Sequence, residues 1–143
     1  MSKKTDELAF ELENTGNIHC FLSANEAEFD DGNFYKLLNE LISQSEKSKP
    51  VLAMDSHISE PYMYNLVKGQ KRPMRDTVIK LSFGLNLPLG IAERLMKLAG
   101  YGGFYVRHKR DSILKFALEN GYSITETDTL LTEYGLQMMS QYT

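Results

Sequence analysis

From Asn33 to Tyr134 apolar residues recur at three-and-four spacing and never alternate long enough to build a sheet, which confines the chain to helices. Phe34, Leu37, Leu38, Leu41 and Ile42 share one stripe, and polar Ser45–Lys49 closes that first helix. Pro50 suits the first turn of a short helix, Val51–Ser56, where a missing N–H costs nothing; it is expected to bury Val51, Leu52 and Met54. Ser59 or Glu60 caps the next, with Pro61 in its first turn and Met63, Leu66 and Val67 inward until Gly69. Beyond Pro73 a helix runs from Met74 to Leu85 on Val78, Ile79, Leu81 and Leu85. Another, Pro88–Ala99, is expected to bury Leu89, Ile91, Leu95 and Leu98 before Gly100. Tyr101–Tyr105 form an aromatic loop, followed by helices over Val106–Asn120 and Ser123–Tyr134.

An internal echo supports this parsing. A shift of 35 residues lays Arg75-Asp76-Thr77-Val78-Ile79-Lys80 on Arg110-Asp111-Ser112-Ile113-Leu114-Lys115, and continues without a gap to match Glu93 with Asp128, Leu95 with Leu130, and Gly100 with Gly135. Two successive hairpins of similar geometry are implied, each ended by a glycine. Two copies are too few for a solenoid, so the second is expected to pack on the first. Asp76 and Asp111 are read as structural acids that cap or charge-complement a helix start.

Residues 1–32 carry the weakest pattern, with breaks at Asn14-Thr15-Gly16-Asn17 and Asp30-Asp31-Gly32. Between them Ile18–Leu22 reads as a short strand and Asn25–Phe29 as a helical turn. This region is acidic: residues 1–46 hold three Lys against ten Asp and Glu, a net −7, while residues 47–143 carry +4. The whole-chain charge of −3 is therefore a poor guide to the field of any one face. The acidic arm is a solvated tail, a docking segment for a protein partner, or an autoinhibitory segment that competes with DNA for the basic face. With 42% hydrophobic residues the chain can build a core without staples, and its lone cysteine, Cys20, suits a reducing compartment. No run approaches the roughly 18 apolar residues of a membrane span, and Met1–Phe10 lacks an apolar signal core. No membrane association and a cytoplasmic location are expected.

The segment Lys49–Leu87 carries the chemistry. Two helices crossing steeply need a small residue at the crossing and a tight turn between them, and Ala53 and His57 meet those needs. His tolerates a left-handed turn better than most side chains, and Ile58 plugs the core beneath it. Downstream, Gly69-Gln70-Lys71-Arg72-Pro73 is followed by an amphipathic helix with Thr77, Ile79, Leu81, Leu85 and Leu87. With Ala53, Ile58 and Leu66 upstream, Asn33 to Leu98 resembles the Cro and phage-repressor type of helix-turn-helix domain, the xenobiotic-response-element family. The resemblance implies a five-helix repressor-like bundle, the domain 33–100; together with the absence of alternation and the internal echo the expectation is an all-α fold in which a C-terminal helical hairpin, 101–143, packs on that bundle. The resemblance also implies that the third helix, Glu60–Lys68, enters the major groove of double-stranded DNA.

Carried onto this sequence, base contacts fall to Glu60, Tyr62, Tyr64 and Asn65. Asn65 suits a bidentate pair with adenine, Tyr62 a thymine methyl, and Glu60 a cytosine amine. The competing reading makes the tyrosines core cover and Glu60 a first-turn carboxylate. Lys68, Lys71, Arg72 and Arg75 are the phosphate-contact candidates. Glu60-Pro61 departs from the family, whose reading helices usually begin with small or amide residues; it places a negative charge there and removes an N–H donor. A second basic run, Arg107-His108-Lys109-Arg110, either extends the footprint or is a solvated helix start.

No metal spacing exists among His19, His57, His108 and Cys20, no glycine-rich phosphate loop is present, and no base is paired with a nucleophile. Neither cofactor nor enzymatic activity is expected. The chain reads as a sequence-specific transcriptional regulator acting as a homodimer, with Leu130, Leu131, Met138 and Met139 as candidates for the dimer surface. The alternative is a protein-interaction module that has kept the fold and given up DNA, using Tyr62, Tyr64 and the Tyr101–Tyr105 loop.

Overall fold

A computed structural model describes residues 3–25, 33–70 and 72–142, and every ordered element among them is helical. The chain divides into two compact units, residues 1–31 and 32–143.

The first unit corrects the expectation of a weakly structured arm. Helix α1 spans Thr5–Asn14, its first turn stabilised by Asp6 and Glu7 at the positive end of the dipole. Where a strand was expected over Ile18–Leu22 the chain forms helix α2, Ile18–Ala24. Two causes act together: Asn17 caps the helix by accepting from the Cys20 N–H at 3.2 Å, and no strand among the described residues offers an edge to pair with. Asn25 donates to Glu11 at 2.9 Å and to the Phe21 carbonyl at 3.0 Å, tying the end of α2 to α1. The helical turn expected after Asn25 lies outside the described residues.

The second unit runs α3 (Asn33–Ser45), α4 (Lys49–Asp55), α5 (Glu60–Val67), α6 (Arg75–Gly84), α7 (Leu89–Leu98), α8 (Lys109–Glu119) and α9 (Ile124–Glu133), then a 3-10 turn at Met139–Tyr142. Ser48 and Ser59 cap α4 and α5 by accepting from Val51 N and Tyr62 N, both at 3.3 Å, with a proline in the first turn of each. One hydrophobic core extends from Phe34 on α3 through Leu52, Met63, Leu66, Ile79 and Leu95 to Leu114, Leu131 and Met139, so the C-terminal hairpin shares it. Three expected core residues fall outside: Val51, Met54 and Ile91 are exposed, because each sits one position out of phase with the buried stripe of its helix.

One turn geometry joins the two helices in each of three hairpins. His57, Asn86 and Gly121 stand at φ 52°, 53° and 73°. Beside them Ile58 N, Leu87 N and Tyr122 N donate to the Ala53, Ser82 and Ala117 carbonyls at 2.9, 3.0 and 3.0 Å. The left-handed residue satisfies the last carbonyls of one helix and launches the next. Hairpins α4–α5, α6–α7 and α8–α9 are thus built alike.

Candidate nucleic-acid interface

At the α4–α5 crossing Ala53 and Ile58 are buried, one admitting the partner helix and the other filling the space under the turn. Met63 and Leu66 anchor the inner side of α5, both fully buried. The 3.6-residue repeat then leaves Glu60, Tyr64 and Lys68 as an exposed stripe, with Pro61 also exposed and Asn65 half-buried. Tyr64 is 38% exposed, and the Lys49 ammonium stands 5.7 Å from its ring centroid. Tyr62 differs: its ring packs partly on the core, which leaves less of it for a base. The far end of α5 is braced by Asn39, which donates to the Val67 carbonyl at 3.2 Å.

The expected phosphate contacts divide. Lys68 is exposed, and Lys71 lies outside the described residues. Arg72 is exposed yet held, donating to the Ala99 carbonyl at 3.3 Å with its guanidinium carbon 5.0 Å from the Tyr101 ring centroid. Arg75 is committed elsewhere: its terminal nitrogens reach Asp111 at 3.0 and 2.8 Å and the Gly103 carbonyl at 2.9 Å. A guanidinium held by both carboxylate oxygens and a carbonyl serves the fold before a phosphate.

Its counterpart shows why. Arg110 reaches Asp76 in the same bidentate manner, at 2.9 and 2.8 Å, so each 35-residue repeat offers its Arg to the other repeat's Asp. The two acids therefore do more than complement helix starts; α6 and α8 have no side-chain cap. A second correspondence follows: Glu93 accepts from Phe104 N at 2.9 Å, and Asp128, its match, from Met139 N at 2.7 Å. The echo between Glu93 and Asp128 is a repeated hydrogen bond from a helix carboxylate to the amide 11 residues on. Leu131 and Met139 are fully buried, which corrects their candidacy for a dimer surface; Leu130 is half-buried and Met138 exposed.

Burial alone would raise the Asp111 carboxyl. The Arg75 hydrogen bonds, the Tyr105 N–H at 2.8 Å and the charges of Arg75 and His108 outweigh it and hold the group below the usual carboxylate range. Lys80 is lowered mainly by burial, with Asp76 and Asp128 opposing, and its ammonium reaches the His57 carbonyl at 3.4 Å.

Sequence reasoning missed Lys49, whose proximity to Tyr64 depends on the angle between α4 and α5. It also missed Asn39, whose signal is only a polar residue on the outer side of α3. Compared with family models, curated proteins and solved structures, the chain matches none. No helix among the described residues is long and apolar enough to cross a membrane.

Proposed function

We propose that this chain is a sequence-specific, double-stranded-DNA-binding regulator that lays α5 in the major groove. The observation that carries the reading is the exposed stripe Glu60–Tyr64–Lys68 on a short helix whose opposite side, Met63 and Leu66, is locked in the core. Asn65 and Tyr64 are the base readers, Glu60 selects against neighbours that repel a carboxylate, and Lys49, Lys68 and Lys71 supply cations for phosphates. One such module reads too few base pairs for specificity, so binding is as a homodimer on two half-sites. The lone cysteine fits action in the cytoplasm.

The test is titration of labelled duplex at several salt concentrations, using the intact chain and a Lys68→Ala, Lys71→Ala double variant. Each lost phosphate contact lowers the slope of log K against log salt by about 0.9, so the double variant falls by about 1.8 per subunit and about 3.6 for the bound dimer. Tyr64→Ala and Asn65→Ala narrow the gap between selected and random sequence with little change of slope. Weak, salt-independent binding unaffected by these changes would remove the DNA reading. One observation favours a protein partner instead: Met54 is 69% exposed and Val51 41% exposed on α4. Loss of duplex binding on Met54→Ser with the slope unchanged is the result that reading does not produce.

A further inference from the structure

We infer that the loop Phe104–His108, with Lys109 at the start of α8, is a second nucleic-acid contact, gripping the sugar-phosphate backbone beside the stretch read by α5. The inference rests on the DNA reading and adds a surface the resemblance does not supply, since it belongs to the start of the C-terminal hairpin.

The segment that leads into the loop, Ala99–Gly103, lies against the chain that leaves α5. The Tyr101 hydroxyl donates to the Pro73 carbonyl at 2.6 Å, Arg75 to the Gly103 carbonyl at 2.9 Å, and Arg72 to the Ala99 carbonyl at 3.3 Å. Residues 72–75 and 99–103 are thus stitched side by side. The loop backbone is also fixed in advance: Phe104 N donates to Glu93 at 2.9 Å, Tyr105 N to Asp111 at 2.8 Å, and His108 N to the Tyr105 carbonyl at 2.9 Å. A surface already ordered loses little entropy on binding.

What the loop presents is basic and aromatic. Arg107, His108 and Lys109 are exposed, and neither the Arg107 nor the Lys109 side chain is engaged by an ion pair or hydrogen bond among the described residues. Tyr105 is 50% exposed, its ring held edge-on by His108 at 4.7 Å between centroids. The neighbouring acid, Asp111, is occupied by Arg75 and the Tyr105 amide. Unpaired cations at the positive end of α8 are unfavourable by themselves, and a row of phosphates relieves that cost while the phenol ring packs on a sugar or base. A single small anion would meet one cation; a polyanion running past Arg72 meets the whole row.

The experiment titrates random 12- and 24-base-pair duplexes across a salt series with the full chain, an Arg107→Ala, Lys109→Ala double variant, and Tyr105→Ala. Both substituted cations are exposed, so circular dichroism and the unfolding midpoint are expected to stay unchanged. On the longer duplex the double variant loses about 1.8 from the salt slope for each bound subunit, at about 0.9 per contact, and about tenfold or more in affinity. Tyr105→Ala loses a few-fold with the slope retained. An unchanged slope in the double variant, with the Lys68→Ala, Lys71→Ala chain still impaired, overturns the second contact and leaves the reading helix standing. Salt-independent binding by the intact chain overturns both. Retained duplex binding by the double variant, with loss of binding to poly-glutamate, makes this a protein-facing surface and also overturns it.

Discussion

Hairpins α6–α7 and α8–α9 follow one plan over a 35-residue shift and live in different surroundings. In α6 every residue from Thr77 to Gly84 is buried, whereas α8 buries Asp111, Leu114, Ala117 and Leu118 and leaves Phe116 51% exposed. Lys80 is 1% exposed, with its ammonium at the His57 carbonyl; its match Lys115 makes a surface pair with Glu119 at 3.4 Å. The shared elements concern backbone: a left-handed turn, a terminal glycine, and a carboxylate on a loop amide. The difference teaches that the plan fixes chain path, while neighbours decide what each side chain must tolerate.

The largest test of that contrast compares the two exchanged ion pairs. Asp111 is 7% exposed against Arg75, while Asp76 and Arg110 are each about one-fifth exposed, at 21% and 22%. Asp111→Ala leaves a guanidinium poorly paired and is expected to cost about 3 kcal/mol, against about 1.5 kcal/mol for Asp76→Ala. Urea unfolding measures both, and equal losses would mean that the two surroundings do not differ where it matters.

Acid sharpens the same comparison with a smaller effect. The Asp111 carboxyl is held lower in the folded chain than in the unfolded one, so its contribution is full above the unfolded carboxylate value, roughly pH 4, and is lost as pH falls through the folded value. Asp111→Asn keeps the shape and cannot titrate. The stability gap between it and the parent should narrow as pH is lowered from neutrality into the acid range; a gap that stays constant breaks the assignment.

Smallest, and opposite in sign, is the effect of the buried ammonium. Asp76 and Asp128 have other partners in Arg110, Met139 N and Ser140, so Lys80→Met strands no acid. It is expected to be neutral or to stabilise by about 1 kcal/mol, with Lys115→Met within about 0.5 kcal/mol. A fall of several degrees in the unfolding midpoint of Lys80→Met would show the ammonium to be a needed partner.

Local signals were legible and long-range ones were not. Pro50, Pro61, Ser59, Gly69, Gly100 and Gly135 act within one turn of themselves, and the helix boundaries around them follow from that; the Ser48 cap is equally local and was passed over inside the polar run Ser45–Lys49. Ala53, His57 and Ile58 are equally local. Ile18–Leu22 misled because a short, mostly apolar run cannot reveal whether a strand edge exists to receive it. The eighth helix starts at Lys109 instead of Val106, since Glu93 and Asp111 hold Phe104 and Tyr105 as loop, and those partners come from elsewhere in the chain. On the candidate interface, the exposed stripe of α5 follows from periodicity, whereas the diversion of Arg75 to Asp111 requires knowing that two matching dipeptides face each other.

That exchange of arginine for aspartate is self-complementary: whatever the first repeat gives, it also receives. Contacts of this kind close on themselves, unlike head-to-tail stacking, which leaves a sticky end for the next unit. Both donors and both acceptors are consumed, so a third tandem copy would find no free half of the handshake. Growth of this architecture by duplication stops at a pair, and any larger assembly must be made through a different surface.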